Sequence, residues 1–233
     1  MKAISSKRLL ANLSLAMLAF AASDAFSATK VFTCVSGSVR TSACWSPAGI
    51  PGAGDYAVIG VSGAAANPVA SLTSNSFSVQ NFSIGNTAKG TFNLSGGTTT
   101  VGVSLWIGQG VGMAGVLNLS GSGLLSASSQ TVGHSGNGTF TQTGGTNDAL
   151  DVSGNGSLTL GAQVGSTGTY SLSAGSLTTY FEFVGNSGTG TFSQTGGTNS
   201  AGQLYLGIGT GASGTYTLSG AGILSASYVS VGH

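Results

Sequence analysis

Three carboxylates are the candidate catalytic groups in the long repetitive part of the sequence. Asp148 and Asp151 lie within NDALDVSGNG at 147–156, and Glu182 follows further along the chain. Polysaccharide lyases and hydrolases act through paired carboxylates or through an acidic calcium cluster with a basic proton acceptor. A calcium loop alternates its ligands and supplies more of them than this segment does. We therefore expect a solvated loop here, with a carbohydrate-active enzyme site at Asp148, Asp151 and Glu182 as the alternative.

Three aromatic residues occupy positions suited to contact with a ligand. Trp106, Tyr205 and Tyr228 each precede an aliphatic residue, and neighbouring side chains of a strand point to opposite faces. With the aliphatic side chain inside, the aromatic ring is exposed and can stack on a sugar ring. The alternative is that these rings pack along the outer surface without any ligand.

Two further aromatic residues flank the only glutamate of the chain, in the order Phe181, Glu182, Phe183. If both rings pointed outward, the carboxylate would be buried without a partner, which is costly. We therefore expect this strand to bury Phe181 and Phe183 and to expose Glu182.

Cys34 and Cys44 stand close together near the start of the mature chain. In an exported protein such a pair predicts a disulfide bond. Closing so short a loop stabilises the fold by roughly 2–3 kcal/mol. A zinc site would need two more ligands, and the nearest histidine is the distant His134. We expect neither a metal ion nor any other cofactor.

The first 27 residues have the features of a secretory signal peptide. Basic residues at positions 2, 7 and 8 precede an apolar run over 9–22, which is too short to span a bilayer comfortably. Small residues then satisfy the small-x-small cleavage rule after Ala25 or after Ser27. We therefore expect an exported protein at the cell surface or outside the cell, with outer-membrane and periplasmic locations as alternatives.

The charge of the predicted mature chain excludes several partners. Only 5% of the whole sequence is charged, against 40% hydrophobic residues and 41 glycines. No Lys or Arg follows Lys89, so the chain lacks the cations that neutralise phosphate groups. We expect no nucleic-acid partner, and anionic membrane surfaces are equally poor partners.

Most of the remaining sequence consists of repeats. GTFTQTGGTN at 138–147 returns as GTFSQTGGTN at 190–199, and LSGSGLLSAS at 119–128 returns as LSGAGILSAS at 218–227. Self-similarity of this kind is typical of solenoids. Starting each repeat at the glycine after an aliphatic residue divides the chain into the rungs 85–107, 108–132, 133–160, 161–184, 185–206 and 207–231.

Each rung contains short strands separated by glycine-rich corners. Strand-forming residues alternate with a period of two, whereas helical repeats require a period of 3.6. The sequence predicts an all-β fold, a single-stranded parallel β-helix (β-solenoid) of six to eight rungs. We expect a cap with the disulfide over 28–53, one or two degenerate rungs over 54–84, and the regular repeats over 85–233.

Hydroxyl groups recur at the outward positions of the first strand of each rung. Stacked rungs would align them into columns, and such columns order water in ice-binding solenoids. Strand propensity and solubility explain the same residues without a ligand, so ice binding is a minor alternative. The columns comprise Thr91, Asn93, Thr139, Thr141, Thr169, Ser171, Thr191, Ser193, Thr215 and Thr217.

The repeats also carry a family resemblance. G-x-G-T-F-x-Q-T-G-G-T-N alternates with G-T-Y-x-L-S-x-G-x-L-x-A, and the segment 45–59 precedes them. Over 45–233 the chain resembles exported bacterial β-helix proteins, namely autotransporter passengers and PEP-CTERM-type surface repeat proteins. The resemblance implies a right-handed helix, in agreement with the general crossover preference. It also implies a non-enzymatic surface scaffold or adhesin whose partners are glycans or cell-surface components.

The last residues predict a longer protein. Val231-Gly232-His233 repeats Val132-Gly133-His134, and the earlier copy continues directly into another rung. An uncovered last rung exposes unpaired backbone groups and apolar side chains. We expect further rungs and an envelope-anchoring module beyond this sequence, and end-to-end self-association of the 233-residue chain.

Overall fold

The structure, a computed structural model, describes residues 28–232. One short 3₁₀ turn, Ser42–Cys44, is the only helical segment of this part of the chain. The strands are β1 (Thr29–Phe32), β2 (Ser36–Ser38), β3 (Trp45–Ser46), β4 (Tyr56–Ile59), β5 (Val69–Leu72), β6 (Ser76–Ile84), β7 (Gly90–Leu94), β8 (Thr98–Ile107), β9 (Ala114–Leu119), β10 (Leu124–Ala127), β11 (Ser129–Val132), β12 (Asn137–Ala149), β13 (Ser157–Leu160), β14 (Thr167–Val184), β15 (Thr189–Gln194), β16 (Thr198–Leu206), β17 (Ser213–Leu218) and β18 (Ile223–Val231).

The strands form a β-solenoid of about eight rungs, which confirms the predicted fold class. Strands of successive rungs pair in parallel, as in β12 with β14 and β14 with β16. The antiparallel pairing of β1 with β3 is the exception near the N-terminus. Each regular rung has three sides, because long strands such as β14 bend and contribute to more than one of them. The right-handed sense stays a prediction.

Glycines at one corner define where each rung begins. Gly133 has a φ of 73°, in the region that favours glycine, and its N–H donates to Ile107 O of the preceding rung at 2.7 Å. A Cβ at this position would collide with the carbonyl oxygen of Thr167 in the following rung. The equivalent glycines at 85, 108, 161, 185 and 207 also have positive φ angles. The predicted rung boundaries therefore coincide with real corners.

The interior consists of side chains stacked in columns, one from each rung. The predicted inward positions of the first strand are confirmed, since Phe92, Leu117, Phe140, Tyr170 and Phe192 are fully buried. From Phe140 onward the rings stack face to face. The ring centroids of Phe140 and Tyr170, Tyr170 and Phe192, and Phe192 and Tyr216 are 4.4, 4.8 and 4.6 Å apart.

The predicted disulfide between Cys34 and Cys44 is present, with the Cα atoms 5.0 Å apart. It joins the segment that follows β1 to the 3₁₀ turn. Next to it, the buried ring of Trp45 contacts Phe32 and stacks on Phe77 of the following rung, with centroids 5.2 and 6.0 Å apart. Within residues 28–53, β1 and β2 already pair in parallel with β4 and β5.

Two predictions concern the ends of the chain. The predicted signal peptide over 1–27 and His233 lie outside the described residues. In the last described rung, Leu218, Ile223, Val229 and Val231 are exposed apolar residues. End-to-end association stays a prediction. No helix within residues 28–232 has the length and apolar character needed to cross a membrane.

Candidate functional site

The structure does not bring the three candidate catalytic carboxylates together. Asp148 is half-buried on β12, and its Oδ1 accepts the N–H of Leu150 at 3.2 Å. Asp151 is exposed in the loop after β12, as expected for a solvated loop. Its Oδ1 accepts the N–H groups of Ser153 and Asn155 at 2.8 and 2.9 Å. Both carboxylates therefore stabilise their own loop.

Glu182 lies inside the solenoid, so the prediction that it is exposed was wrong. Its exposed fraction is 0%, whereas Phe181 and Phe183 are half-buried on the outside. The physical reason is the alternation of side chains along the strand. Val184 points into the interior at the end of the rung, and Glu182, two residues earlier, lies on the same face. The strand register agrees with this inward orientation, because Glu182 pairs with the buried Leu158 of the preceding rung.

Polar side chains from three successive rungs form one hydrogen-bonded group in the interior, which we call the Gln130 layer (Gln130, Gln142, Asn147 and Tyr170). Gln130 and Asn147 form a reciprocal amide pair. Gln130 Nε2 donates to Asn147 Oδ1 at 2.7 Å, and Asn147 Nδ2 donates to Gln130 Oε1 at 3.0 Å. The second hydrogen of Gln130 Nε2 reaches Ala127 O at 3.1 Å. All four polar atoms of the two amide groups therefore have partners.

The other half of the Gln130 layer is equally complete. Tyr170 Oη donates to Gln142 Oε1 at 2.5 Å and accepts from Asn147 Nδ2 at 3.1 Å. Gln142 Nε2 donates to the carbonyl oxygens of Gly145 and Ser176 at 3.3 and 2.9 Å. Gln142 is thus a structural residue with satisfied hydrogen bonds, as buried amides require.

A second hydrogen-bonded group from three successive rungs, the Glu182 layer (Glu182, Gln194, Asn199 and Tyr216), repeats this arrangement. Tyr216 Oη donates to Gln194 Oε1 at 2.5 Å and accepts from Asn199 Nδ2 at 3.1 Å. Asn199 Nδ2 also donates to Glu182 Oε2 at 2.8 Å. Two atoms differ from the first layer, because the buried Glu182 Oε1 and Asn199 Oδ1 have no hydrogen-bond partner.

Burial changes the acidity of both polar layers. It raises the pKa of Glu182 from 4.5 to about 7, and the hydrogen bond from Asn199 opposes this rise. Burial likewise raises the pKa of the Tyr170 and Tyr216 hydroxyls. An acid with a raised pKa is a candidate for catalysis only where a substrate can reach it. Glu182 is fully buried, so its raised pKa is a property of the solenoid interior and does not mark a site that a substrate can reach.

The outer surface carries a continuous group of rings, which we call the aromatic patch (Tyr180, Phe181, Phe183, Tyr205 and Tyr228). The ring centroids of Tyr180 and Phe181 are 4.6 Å apart, and those of Phe181 and Phe183 are 5.8 Å apart. Across the rungs, Phe183 and Tyr205 are 5.3 Å apart, and Tyr205 and Tyr228 are 5.7 Å apart. Tyr228 is 52% exposed, and the other four rings are half-buried.

Two of the three predicted ligand-contact aromatics, Tyr205 and Tyr228, belong to the aromatic patch, and Trp106 does not. Trp106 occupies the same outward column as Tyr205, but Thr131, Thr159 and Phe183 stand between them. Its ring is half-buried between Tyr56 and His134, with centroid distances of 6.1 and 6.5 Å.

The sequence reasoning missed Tyr180, Phe181 and Phe183 as patch residues. The inward position of Val184 was the signal that identifies Phe181 and Phe183, because it places both on the outer face. Tyr180 lies at a bend, where the register between β14 and β16 passes over one position, so alternation does not predict its direction.

The hydroxyl columns are regular over four rungs only. Thr139, Thr169, Thr191 and Thr215 pair in register, and a parallel column contains Thr141, Ser171, Ser193 and Thr217. Towards the N-terminus, Thr91 is followed by Val116, and Asn93 pairs with Asn118 through an amide hydrogen bond of 2.8 Å. The N-terminal rungs therefore lack the hydroxyl array.

Comparison with known proteins gives no family for this chain. No family model, no curated protein and no solved structure matches it. Residues 28–232 contain no group of three or more His, Cys, Asp or Glu side chains that could hold a metal ion. The function must therefore be inferred from the two polar layers and the outer surface.

Proposed function

We propose that this chain is an exported, non-enzymatic β-solenoid that acts as a surface or extracellular scaffold and binds carbohydrate through the aromatic patch. The observation that carries the proposal is the continuity of five outward rings across adjacent rungs. Contiguous exposed aromatic surface marks interaction sites on soluble proteins. Residues 28–232 form no pocket, and such a regular solenoid side suits an extended polymer better than a small molecule.

The chemistry around the aromatic patch favours an uncharged partner. The sequence has no Lys or Arg after Lys89, and the acidic side chain between Phe181 and Phe183, that of Glu182, points inward. Sugar rings present apolar C–H faces to aromatic rings and need no opposite charge. A neutral or weakly charged glycan therefore fits this surface, whereas phosphate-rich polymers do not.

The test is binding to a panel of purified polysaccharides. The protein without residues 1–27 is expected to bind at least one neutral polymer, and the double variant Tyr205→Ala/Tyr228→Ala is expected to lose this binding. The matched control is Thr131→Ala/Thr159→Ala, which changes the outward column of Tyr205 outside the patch and should bind like the wild type.

Two outcomes of this experiment contradict the proposal. One is the absence of binding to any polymer, and the other is equal loss of binding in the patch variant and the control. The same incubations, with and without calcium, should be assayed for new reducing ends and unsaturated products. Turnover by the wild type that disappears in Asp148→Asn would contradict the scaffold proposal and support the alternative, a carbohydrate-active enzyme.

The hydroxyl columns favour one second candidate, binding of ice. Four consecutive rungs present threonine in register at the strand spacing of about 4.8 Å, with a second hydroxyl column beside it. The test is thermal hysteresis of the wild type against Thr169→Tyr/Thr191→Tyr, whose bulky rings interrupt the array. Absence of hysteresis in the wild type rejects this candidate.

A further inference from the structure

We propose that Glu182 is a neutral carboxylic acid whose Oε1–H donates to Asn199 Oδ1, so that the rungs it joins form a pH-sensitive part of the solenoid. The proposal concerns the interior and is independent of the carbohydrate-binding function. It rests on three observations: two orphaned buried atoms, an equivalent layer without orphans, and the lack of cations nearby.

The two orphaned atoms are both acceptors if Glu182 is ionised. A carboxylate only accepts hydrogen bonds, and the Oδ1 of an asparagine only accepts as well. Glu182 Oε1 and Asn199 Oδ1 are buried without partners, although Glu182 Oε2 already accepts from Asn199 Nδ2. One proton on Oε1 supplies the missing donor and satisfies both atoms at once, because the acid and the amide then form a reciprocal pair.

The Gln130 layer shows this reciprocal pair with an amide in place of the acid. The segment 138–147 returns at 190–199, and the same offset of 52 residues relates Gln130 to Glu182 and Asn147 to Asn199. In both layers the asparagine Nδ2 donates to one oxygen of its partner. Glu182 Oε1 therefore corresponds to Gln130 Nε2, which donates to Asn147 Oδ1. A protonated oxygen reproduces that donor.

The surroundings provide no charge that would stabilise a carboxylate. The column of Glu182 continues with Leu158 and Leu204 in the adjacent rungs, and both are buried. The titratable groups near it are the hydroxyls of Tyr170 and Tyr216, and burial raises the pKa of both, so they stay neutral at physiological pH. The sequence contains no Lys or Arg in this half of the chain.

The proton makes the stability of these rungs depend on pH. Burial raises the pKa of Glu182 from its ordinary 4.5 to about 7. Between these values the folded chain holds a proton that the unfolded chain has released, so stability is full below pH 4.5 and is lost as the pH rises through 7. The unfolding equilibrium constant should increase by about 300-fold over this interval, since each pH unit contributes tenfold.

The decisive experiment is a carbon NMR titration of the wild-type protein. Glu182 is the only glutamate in the sequence, so labelling glutamate with ¹³C at its carboxyl carbon gives a single resonance. The expected titration midpoint lies near pH 7. A midpoint at 4.5 or below overturns the proposal, and a cation held between the two acceptors would produce that result by keeping the carboxylate ionised.

Variants test the consequence for stability. Glu182→Gln gives the second layer the same amide group as the first layer. The stability of this variant should lose its dependence on pH between 4.5 and 7. At pH 8 its free energy of unfolding should exceed that of the wild type. Asp148→Asn is the matched control, because it removes an outward acid and should keep the wild-type pH dependence. Equal pH dependence in the wild type and in Glu182→Gln would contradict the proposal.

Discussion

The Gln130 layer and the Glu182 layer are equivalent groups of side chains in one solenoid and differ mainly in one functional group. In the first, Gln130 and Asn147 satisfy each other with two hydrogen bonds. In the second, Glu182 and Asn199 make one hydrogen bond and leave two acceptors unpaired. The position that holds the amide of Gln130 in one layer can therefore hold the acid of Glu182 in the other only when that acid is protonated. The comparison shows how one atom can turn a permanent interior contact into a titratable one.

The two layers also differ in their distance from solvent. Tyr170 is fully buried between the rings of Phe140 and Phe192. Tyr216 stacks on Phe192 on one side and is half-buried in the last described rung. The hydrogen bonds of Tyr216 are therefore less deeply buried than those of Tyr170.

Within the two polar layers, the largest effect is expected when the acid is introduced into the first layer. Gln130→Glu should lower the free energy of unfolding by about 3 kcal/mol at pH 8, if the pKa of the new acid rises as far as that of Glu182. At pH 5 the new acid is protonated in the folded state and donates as the amide did, so the loss should be small. Urea unfolding at pH 5 and at pH 8 measures both values.

The double exchange Gln130→Glu/Glu182→Gln sharpens this test. It keeps one buried acid in the chain and moves it to the other layer, so its pH dependence should resemble that of the wild type. A loss of stability in Gln130→Glu that is equal at both pH values would show that the two layers are not equivalent.

The repetitive framework of this fold is predictable from the sequence, and its exceptions are only partly so. Glycine after an aliphatic residue marks the corner of each rung, because a positive φ and a close backbone contact both exclude a side chain at positions such as Gly133. The alternation of each strand then predicts which residues fill the interior. These signals are local, and they repeat in every rung.

Glu182 was predicted incorrectly because its partner is not local. Viewed alone, a buried carboxylate is too costly, and that cost favoured the opposite face of the strand. The donor that reduces the cost, Asn199, lies 17 residues away in the next rung. The 52-residue offset contained the missing signal, since it aligns Glu182 with Gln130 and Asn199 with Asn147. The predicted set of surface aromatics lacked Phe181 and Phe183 because Glu182 was placed on the wrong face, and it lacked Tyr180 because that residue lies at a bend.

An intermediate effect is expected from the tyrosine hydroxyls. Tyr170→Phe leaves Gln142 Oε1 without its donor and removes an acceptor from Asn147, so it should lower the free energy of unfolding by about 2 kcal/mol. Tyr216→Phe removes the equivalent hydroxyl from a ring that is only half-buried, so its cost should be smaller, about 1 kcal/mol. Thermal unfolding of the two variants at one pH gives the comparison, and equal costs would contradict the difference in burial.

The smallest effect on stability is expected on the outer surface. Tyr228 is 52% exposed and contacts the patch through the tilted ring of Tyr205, with centroids 5.7 Å apart. Tyr228→Ala should therefore change the free energy of unfolding by less than about 0.5 kcal/mol, as is usual for surface substitutions. Its effect should instead concern carbohydrate binding, because the variant shortens the aromatic patch at its most exposed ring.

Phe192→Ala is the matched comparison inside the solenoid. Phe192 is fully buried between Tyr170 and Tyr216, and replacing a buried phenylalanine by alanine costs about 3–5 kcal/mol. Chemical unfolding of the two alanine variants separates the inner stack from the outer patch. If Tyr228→Ala unfolded as easily as Phe192→Ala, the outer rings would be part of the stabilising core, and the patch would no longer be a free surface for a glycan.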